Sequence, residues 1–282
     1  MLEKRCVLSL CLGSMLLLSG GCGFIERLAI PDKKLIAKSL AQSGSESSVD
    51  HTAWDRFLQR YTLIDSEGVV RVDYASVTSA SHKSLKDYIA ELSAVDPARL
   101  TKNAQLAYWA NLYNVKTVDV ILDHYPVATI RNVKDGVFDL GPWEEKRLVV
   151  SELPLSLHDI EHGIVRPIWS TTPEVHYILN CAALGCPNLP QKAFTAHNVQ
   201  ELMRQAAVVY VNDAQRGVLT DDAGRVTLSK IYSWYRDDFG GSDASILNHL
   251  RSYAAPGLKS RLEGTEKIHE YTYNWSLNDK GS

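Results

Sequence analysis

Cys181 and Cys186 stand inside an apolar run that breaks into a small-residue turn, His176-Tyr177-Ile178-Leu179-Asn180-Cys181-Ala182-Ala183-Leu184-Gly185-Cys186-Pro187. The other three of the chain's five cysteines, Cys6, Cys11 and Cys22, lie near its start. A thiol that works as a nucleophile needs a lowered pKa, set by an adjacent base that a third group orients. His162 and His176 are the candidate bases, and Glu161 and Asp159 the candidate orienting acids. With Cys181 they make the residue set of a Cys-His-acid hydrolase or acyl-transferase. Other chemistries compete with this one. Cys181 can be a packing residue at a strand end. It can pair with Cys186, closing a short loop worth about 2 kcal/mol by chain entropy. A metal can also take His162, His176, Cys181 and Cys186 as N and S donors, although zinc cysteines usually stand closer together in a repeated pattern. No organic cofactor is expected.

The elements that must position these residues follow from local pattern. His176–Cys181 reads as a buried strand, which puts His176 and Asn180 on one face and Cys181 on the other. Leu155–Pro167 reads as a helix with Ser156 at its N-cap and Asp159 three residues on, a carboxylate variant of the capping box. His162 and Arg166 then stack one turn apart. Thr101 caps a helix that runs to about His124 and is apolar nearly all round, from Leu106 to Leu122. Such a helix is central and enclosed. Asn111 and Asn114 share a face within it, so their amides must find partners, either loop backbone or a site they help to shape. Asn111 and Asn180 are the candidate polar stabilisers of a reaction at Cys181.

Elsewhere the spacing predicts helices over His51–Tyr61, Ser84–Val95, Asn198–Val211, Ser229–Phe239 and Ser245–Tyr253. Strands are expected at Val69–Tyr74, Arg147–Val150 and Ile268–Trp275, with a hairpin over Arg216–Leu228 turning at Asp221–Gly224. His51, His82, His124, His197, His249 and His269 are expected to be solvated. Trp234-Tyr235-Arg236-Asp237-Asp238-Phe239 either lines a cleft or docks its aromatics in the core with the acids outward. Short strands and helices without regular alternation predict an α+β fold, a single compact domain with a central buried helix and a small mixed sheet.

Lys4 and Arg5 precede an apolar run from Cys6 to Leu18, then Ser19-Gly20-Gly21-Cys22. A basic start, an apolar stretch too short to span a bilayer and small residues beyond it make a secretory signal. Cys22 after small residues looks like a bacterial lipobox, implying cleavage before Cys22 and its acylation. Gly23 after the anchor favours the outer membrane. The expected organisation is a signal peptide over 1–21, a lipidated tether over 22–48 and an α+β domain over 49–279. The expected setting is the bacterial cell envelope, lipid-anchored and facing the periplasm, where unpaired thiols tend to become disulfides. With 282 residues, 45% hydrophobic content and a net charge of −3, no basic block marks a nucleic-acid partner. The expected partners are the membrane, through the anchor, and an envelope substrate or protein.

Ala107-Tyr108-Trp109-Ala110-Asn111-Leu112-Tyr113-Asn114, Asp159-Ile160-Glu161-His162, His176 to Pro187, Trp234 to Phe239 and Asn274-Trp275-Ser276-Leu277-Asn278 appear in this order. Together they resemble the domain-of-unknown-function 547 family over about residues 50–279. The family pattern falls on Trp109, Asn111, Asn114, Glu161, His162, Arg166, His176, Asn180 and Cys181. The resemblance implies a role for Cys181 that does not need Cys186. His158 stands where the pattern usually has Asp or Asn, and Asn274 where Asp is common. The leading expectation is a Cys181 nucleophile with His162 or His176 as base. Its rival is a non-enzymatic envelope binding module with a structural disulfide.

Overall fold

The computed structural model describes residues 35–133 and 142–281. The leader and Cys22 lie outside the described residues.

The apolar stretch after Thr101 forms the longest helix of the described residues, and the rest is arranged around it. We number helices and strands in chain order: α1 Thr52–Tyr61, α2 Ser79–Ser93 and α3 Lys102–His124. Thr101 Oγ1 accepts from Ala104 N, as expected of the cap. Every residue from Ala104 to Val115 is buried, so α3 has no solvent face over that length. α2 packs on α3, and α1 on α2.

Among the described residues, three small sheets decorate this core. β1 Thr62–Ile64 pairs antiparallel with β2 Val70–Val72, and β3 Leu148–Val150 with β4 Leu153–Leu155. The second turn places Ser151 and Glu152 at φ 48 and 65, the left-handed geometry of a two-residue hairpin. The third sheet is mixed: β5 Val218–Thr220 runs antiparallel to β6 Val226–Ser229, which runs parallel to β7 Glu270–Thr272. The fold is α+β. α4 Arg166–Ile168 is a single turn, and α5 Val199–Val211 lies against α3. α6 Ile231–Trp234, α7 Asp243–Tyr253 and α8 Pro256–Leu262 form a second apolar cluster with the mixed sheet. Among the described residues no helix is long and apolar enough to cross a membrane.

Two local expectations give way. His176–Cys181 is not a strand: Pro173–Tyr177 is a 3-10 helix, followed by an irregular loop. The predicted separation of His176 and Cys181 onto opposite faces therefore does not hold. Side-chain clamps from α3 explain the difference. Asn114 Nδ2 donates to Ile178 O and its Oδ1 accepts from Asn180 N, both at 2.8 Å, which satisfies the backbone without a strand partner. The Leu155–Pro167 helix is instead a β-strand end followed by a π-helix, Asp159–Val165, that runs into α4. The predicted cap is present, because Asp159 N donates to Ser156 Oγ and Ser156 N to Asp159 Oδ2.

Residues 35–48, read from sequence as the end of a tether, pack on the domain. Ile36 N donates to Gly163 O, Leu40 is buried, and the Gln105 amide of α3 donates to Leu40 O and Gln42 O. Leu40 has apolar surface to bury, and α3 supplies the donor that its backbone needs.

The C-terminal segment crosses the loop that carries both cysteines. Leu184 N and Gly185 N donate to Ser276 O and Asn274 O at 2.8 Å, and Asn278 N donates to Ala182 O at 2.9 Å. Gly185 is needed for this approach, since a Cβ there would sit 2.8 Å from Asn274 N. Ala182 adopts φ 61, held by its N–H to Asn180 Oδ1 at 2.8 Å.

Candidate functional site

A cavity of about 290 Å³ opens between the α3 core and the second cluster, and Glu161, His162, His176, Cys181 and Cys186 all line it. Five stretches of the chain build its wall. α3 contributes Tyr113 and the π-helix Glu161 and His162. The 3-10 helix and its loop contribute His176 and both cysteines, and α6 with the C-terminal segment contributes Trp234, Tyr235, Tyr273 and Trp275.

π-helices are rare and often sit at functional sites, because the wider turn re-aims side chains. Here Arg166 N–H bonds back to Glu161 O, five residues earlier. Glu161 is thereby turned inward: it accepts from Tyr235 OH at 2.6 Å and from Tyr113 OH at 3.1 Å. Burial opposes its ionisation. The His162 imidazole, the Tyr235 hydroxyl, His176 and Arg166 outweigh burial and hold the carboxyl below its ordinary range.

One buried ion pair sets the state of both imidazoles. Arg166 donates through Nε to Asp238 Oδ2 at 2.7 Å and through Nη2 to Oδ1 at 3.2 Å. Its Nη1 lies 2.8 Å from His162 Nδ1, and a guanidinium only donates, so His162 Nδ1 accepts and Nε2 carries the proton. His176 Nε2 lies 2.8 Å from Asp238 Oδ2, so there Nε2 donates and Nδ1 keeps its lone pair. His176 Nδ1 is buried with no hydrogen-bond partner in the structure. The His176 ring stacks on Tyr235 at 3.9 Å. Burial pushes His162 down to about 4, against the pull of Glu161. It also lowers His176, against the bond and charge of Asp238. Both rings are neutral near pH 7, one presenting a donor and the other an acceptor.

Cys181 and Cys186 form a disulfide. Of the alternatives open in the sequence, this is the one present, and the free thiol expected of a nucleophile is not. Tyr273 OH lies 3.2 Å from Cys181 Sγ and 3.0 Å from Cys186 Sγ. Cys181 is partly exposed on the cavity side and Cys186 is buried. The structure assigns the candidate orienting acids differently from the sequence reading. Asp238 holds His176, Glu161 is bonded to tyrosines, and Asp159 is tied to Ser156 and Lys146.

Asn111 and Asn180, the candidate stabilisers, do not line the cavity. Asn111 exchanges two bonds with the Phe194 backbone, and Asn180 donates to Pro187 O while accepting from Ala182 N. Asn274 is exposed and accepts from Ser276 N, a bond that an aspartate would make equally well. Two histidines expected in solvent are packed instead: His51 is buried on Tyr88 OH, and His249 lies between Tyr177 and Phe239.

Among the described residues, the four His and Cys side chains weighed as metal donors do not converge. The one convergent group is His82, Asp119 and Asp123, where ammonium groups already serve as cations. Lys86 Nζ bridges Asp119 and Asp123 at 2.8 Å each, and Lys116 Nζ reaches Asp119 at 2.7 Å.

Asp238, Tyr113 and Tyr273 are the residues that sequence reasoning left out. Asp238 stood in a motif already singled out, but its acids could equally have faced outward.

Residues 97–211 match the model of a family described as a protein of unknown function, DUF547. That span covers α3, the π-helix, both cysteines and α5, and stops before Asp238 and Tyr273. No curated protein and no solved structure matches the chain.

Proposed function

We propose that the cavity is the active site of a thiol-dependent hydrolase or acyl-transferase acting on an amide or ester, with the Cys181–Cys186 disulfide as its oxidised resting form. One observation carries this reading. His176, oriented by Asp238 and with an unpartnered Nδ1, shares a cavity with Cys181. A dithiol reductant first converts the disulfide to two thiols and is itself oxidised to a disulfide. The Cys181 thiol then gives its proton to His176 Nδ1, and the thiolate attacks the acyl carbon. The leaving amine or alcohol takes that proton as the thioester forms. Water, or a second acceptor, then attacks the thioester, yielding its proton through His176 and restoring the thiol. His162 Nε2–H is the donor for the developing oxyanion, because Asn111 and Asn180 spend their amides on backbone.

The test uses the Cys186→Ser variant, in which Cys181 cannot re-pair within the loop. The alkylation rate of Cys181 by iodoacetamide is followed from pH 5 to 9, with and without His176→Ala. A thiolate pKa well below the usual ~8.5 is expected, with reactivity at pH 6 falling at least ~10-fold on losing His176. A Cys181 that titrates like a free cysteine in both proteins supports a second reading, a non-enzymatic binding module with a structural disulfide. The disulfide itself favours that reading, as does the sulfur's contact with Tyr273 OH.

The same proposal sets the protein in the bacterial envelope, lipid-anchored through Cys22 at the outer membrane and facing the periplasm. Support comes from the N-terminal pattern of Lys4, Arg5, the apolar run and Gly20-Gly21-Cys22. Intact mass of envelope-purified protein is expected to show a chain that begins at Cys22 and carries fatty-acyl groups. A chain starting elsewhere, or one without acyl mass, rules the anchor out.

A further inference from the structure

The catalytic reading leaves one side of the cavity unused, and that side is aromatic. Trp143, Trp234, Tyr273 and Trp275 all line it. Their ring centroids lie close together: Trp143–Trp275 at 5.9 Å, Trp234–Trp275 at 5.5 Å, Trp234–Tyr273 at 4.8 Å and Tyr273–Trp275 at 4.7 Å. The rings pack tilted against one another and together form one aromatic wall of the cavity, and indole or phenol rings that line a cavity attract alkylated ammonium groups through their negative faces. Two rings that line the cavity, Trp275 of this wall and the neighbouring Tyr235, already take cations of the chain's own. The Arg131 guanidinium sits 5.1 Å from the Trp275 centroid, and Arg166 sits 5.0 Å from that of Tyr235.

The charges beneath the cavity point the same way. Among the described residues, two buried carboxylates, Glu161 in the cavity wall and Asp238 behind His176, face the Arg166 guanidinium, and both imidazoles are neutral near pH 7. At the mouth, Arg131 and Glu144 bring one charge of each sign. A low-dielectric pocket with negative charge in excess favours a cationic guest over a neutral one of the same shape.

We propose that this cavity binds an organic cation, a substrate or ligand bearing an alkylated ammonium group, seated against Trp143, Trp234, Tyr273 and Trp275 above Glu161. The proposal deepens the reading of the cavity as the functional site and rests on that reading, but it does not require the thiol step. It can therefore be tested on protein with the disulfide intact, where no thiol chemistry takes place. A failed alkylation test would leave cation binding standing, and a failed cation test would leave the thiol reading standing.

The experiment is calorimetric titration of the oxidised protein with choline and, separately, with its uncharged isostere 3,3-dimethylbutan-1-ol. Choline is expected to bind at least ~10-fold more tightly and to change the tryptophan emission on saturation. Trp234→Ala and Glu161→Gln should each weaken choline at least ~10-fold while the isostere changes little for Glu161→Gln. Where Glu161→Gln does not fold, Trp234→Ala with the two ligands decides. Equal binding of the two compounds, no binding of either, or choline binding that is indifferent to Trp234→Ala overturns the proposal.

Discussion

Lowering the pH from 7 to 5 is expected to remove about 4 kcal/mol of folding stability through two imidazoles alone. Burial depresses both His51 and His162 from 6.5 to about 4 in the folded chain. Each is therefore neutral when folded down to about pH 4, yet takes a proton near pH 6.5 once unfolded. Between these values the unfolded chain binds more protons, so stability falls as pH falls. It is fully present above pH 6.5 and lost by about pH 4, at about 3 kcal/mol for each group. His176 and His249 shift in the same direction, also through burial. Below that window Glu161 and Asp119 add their own losses, since favourable partners hold both carboxyls below the ordinary range despite burial. Urea unfolding at pH 7, 6 and 5, with a constant slope in urea, measures this directly. A stability that stays flat from pH 7 to 5 would show that the buried imidazoles take up protons without unfolding.

How much of this was legible in the sequence divides along the range of the forces involved. α3 was legible because its pattern is local: a threonine cap, a long apolar stretch and Tyr125-Pro126 at its end. The Ser156–Asp159 cap and the Asp221–Gly224 turn were legible for the same reason. The conformation around His176 was not. A short apolar run bounded by Pro173 and Gly185 suits a strand or a helix equally well. Asn114, more than sixty residues earlier in the chain, decides between them by bonding Ile178 O and Asn180 N. The π-helix was hidden because its composition differs little from that of an α-helix, and only its five-residue backbone bond shows it. The set Cys181, His162, His176 and Glu161 was legible as residue types, and the fold brings all four to one cavity. Its wiring was not legible, since which carboxylate meets which imidazole depends on how α6 and its following turn dock.

Arg166→Met should cost about 3–5 kcal/mol, far more than an exposed ion pair, whose loss is usually worth under ~1 kcal/mol. The guanidinium is buried, 5% exposed, and its partner Asp238 is 6% exposed. Methionine would fill much of the space, yet Asp238 would stay buried without the two guanidinium bonds that it now accepts. Asp238→Asn leaves the reverse problem, a buried cation facing an amide. The double variant Arg166→Met with Asp238→Asn removes both charges, so it should recover part of the sum of the two single losses. A coupling of up to ~3 kcal/mol is expected from such neighbours. Function should respond differently from stability. Arg166 fixes His162 with Nε2 protonated, and Asp238 fixes His176 with Nδ1 free. The double variant thus recovers part of the stability while leaving His162 without the guanidinium that fixes its tautomer, and His176 faces a neutral amide in place of a carboxylate. A double variant that regains stability but not Cys181 reactivity would separate the pair's structural role from its positioning role. If the single Arg166→Met variant loses less than ~1 kcal/mol, water reaches Asp238, and the pair cannot be what holds the two imidazoles in opposite states.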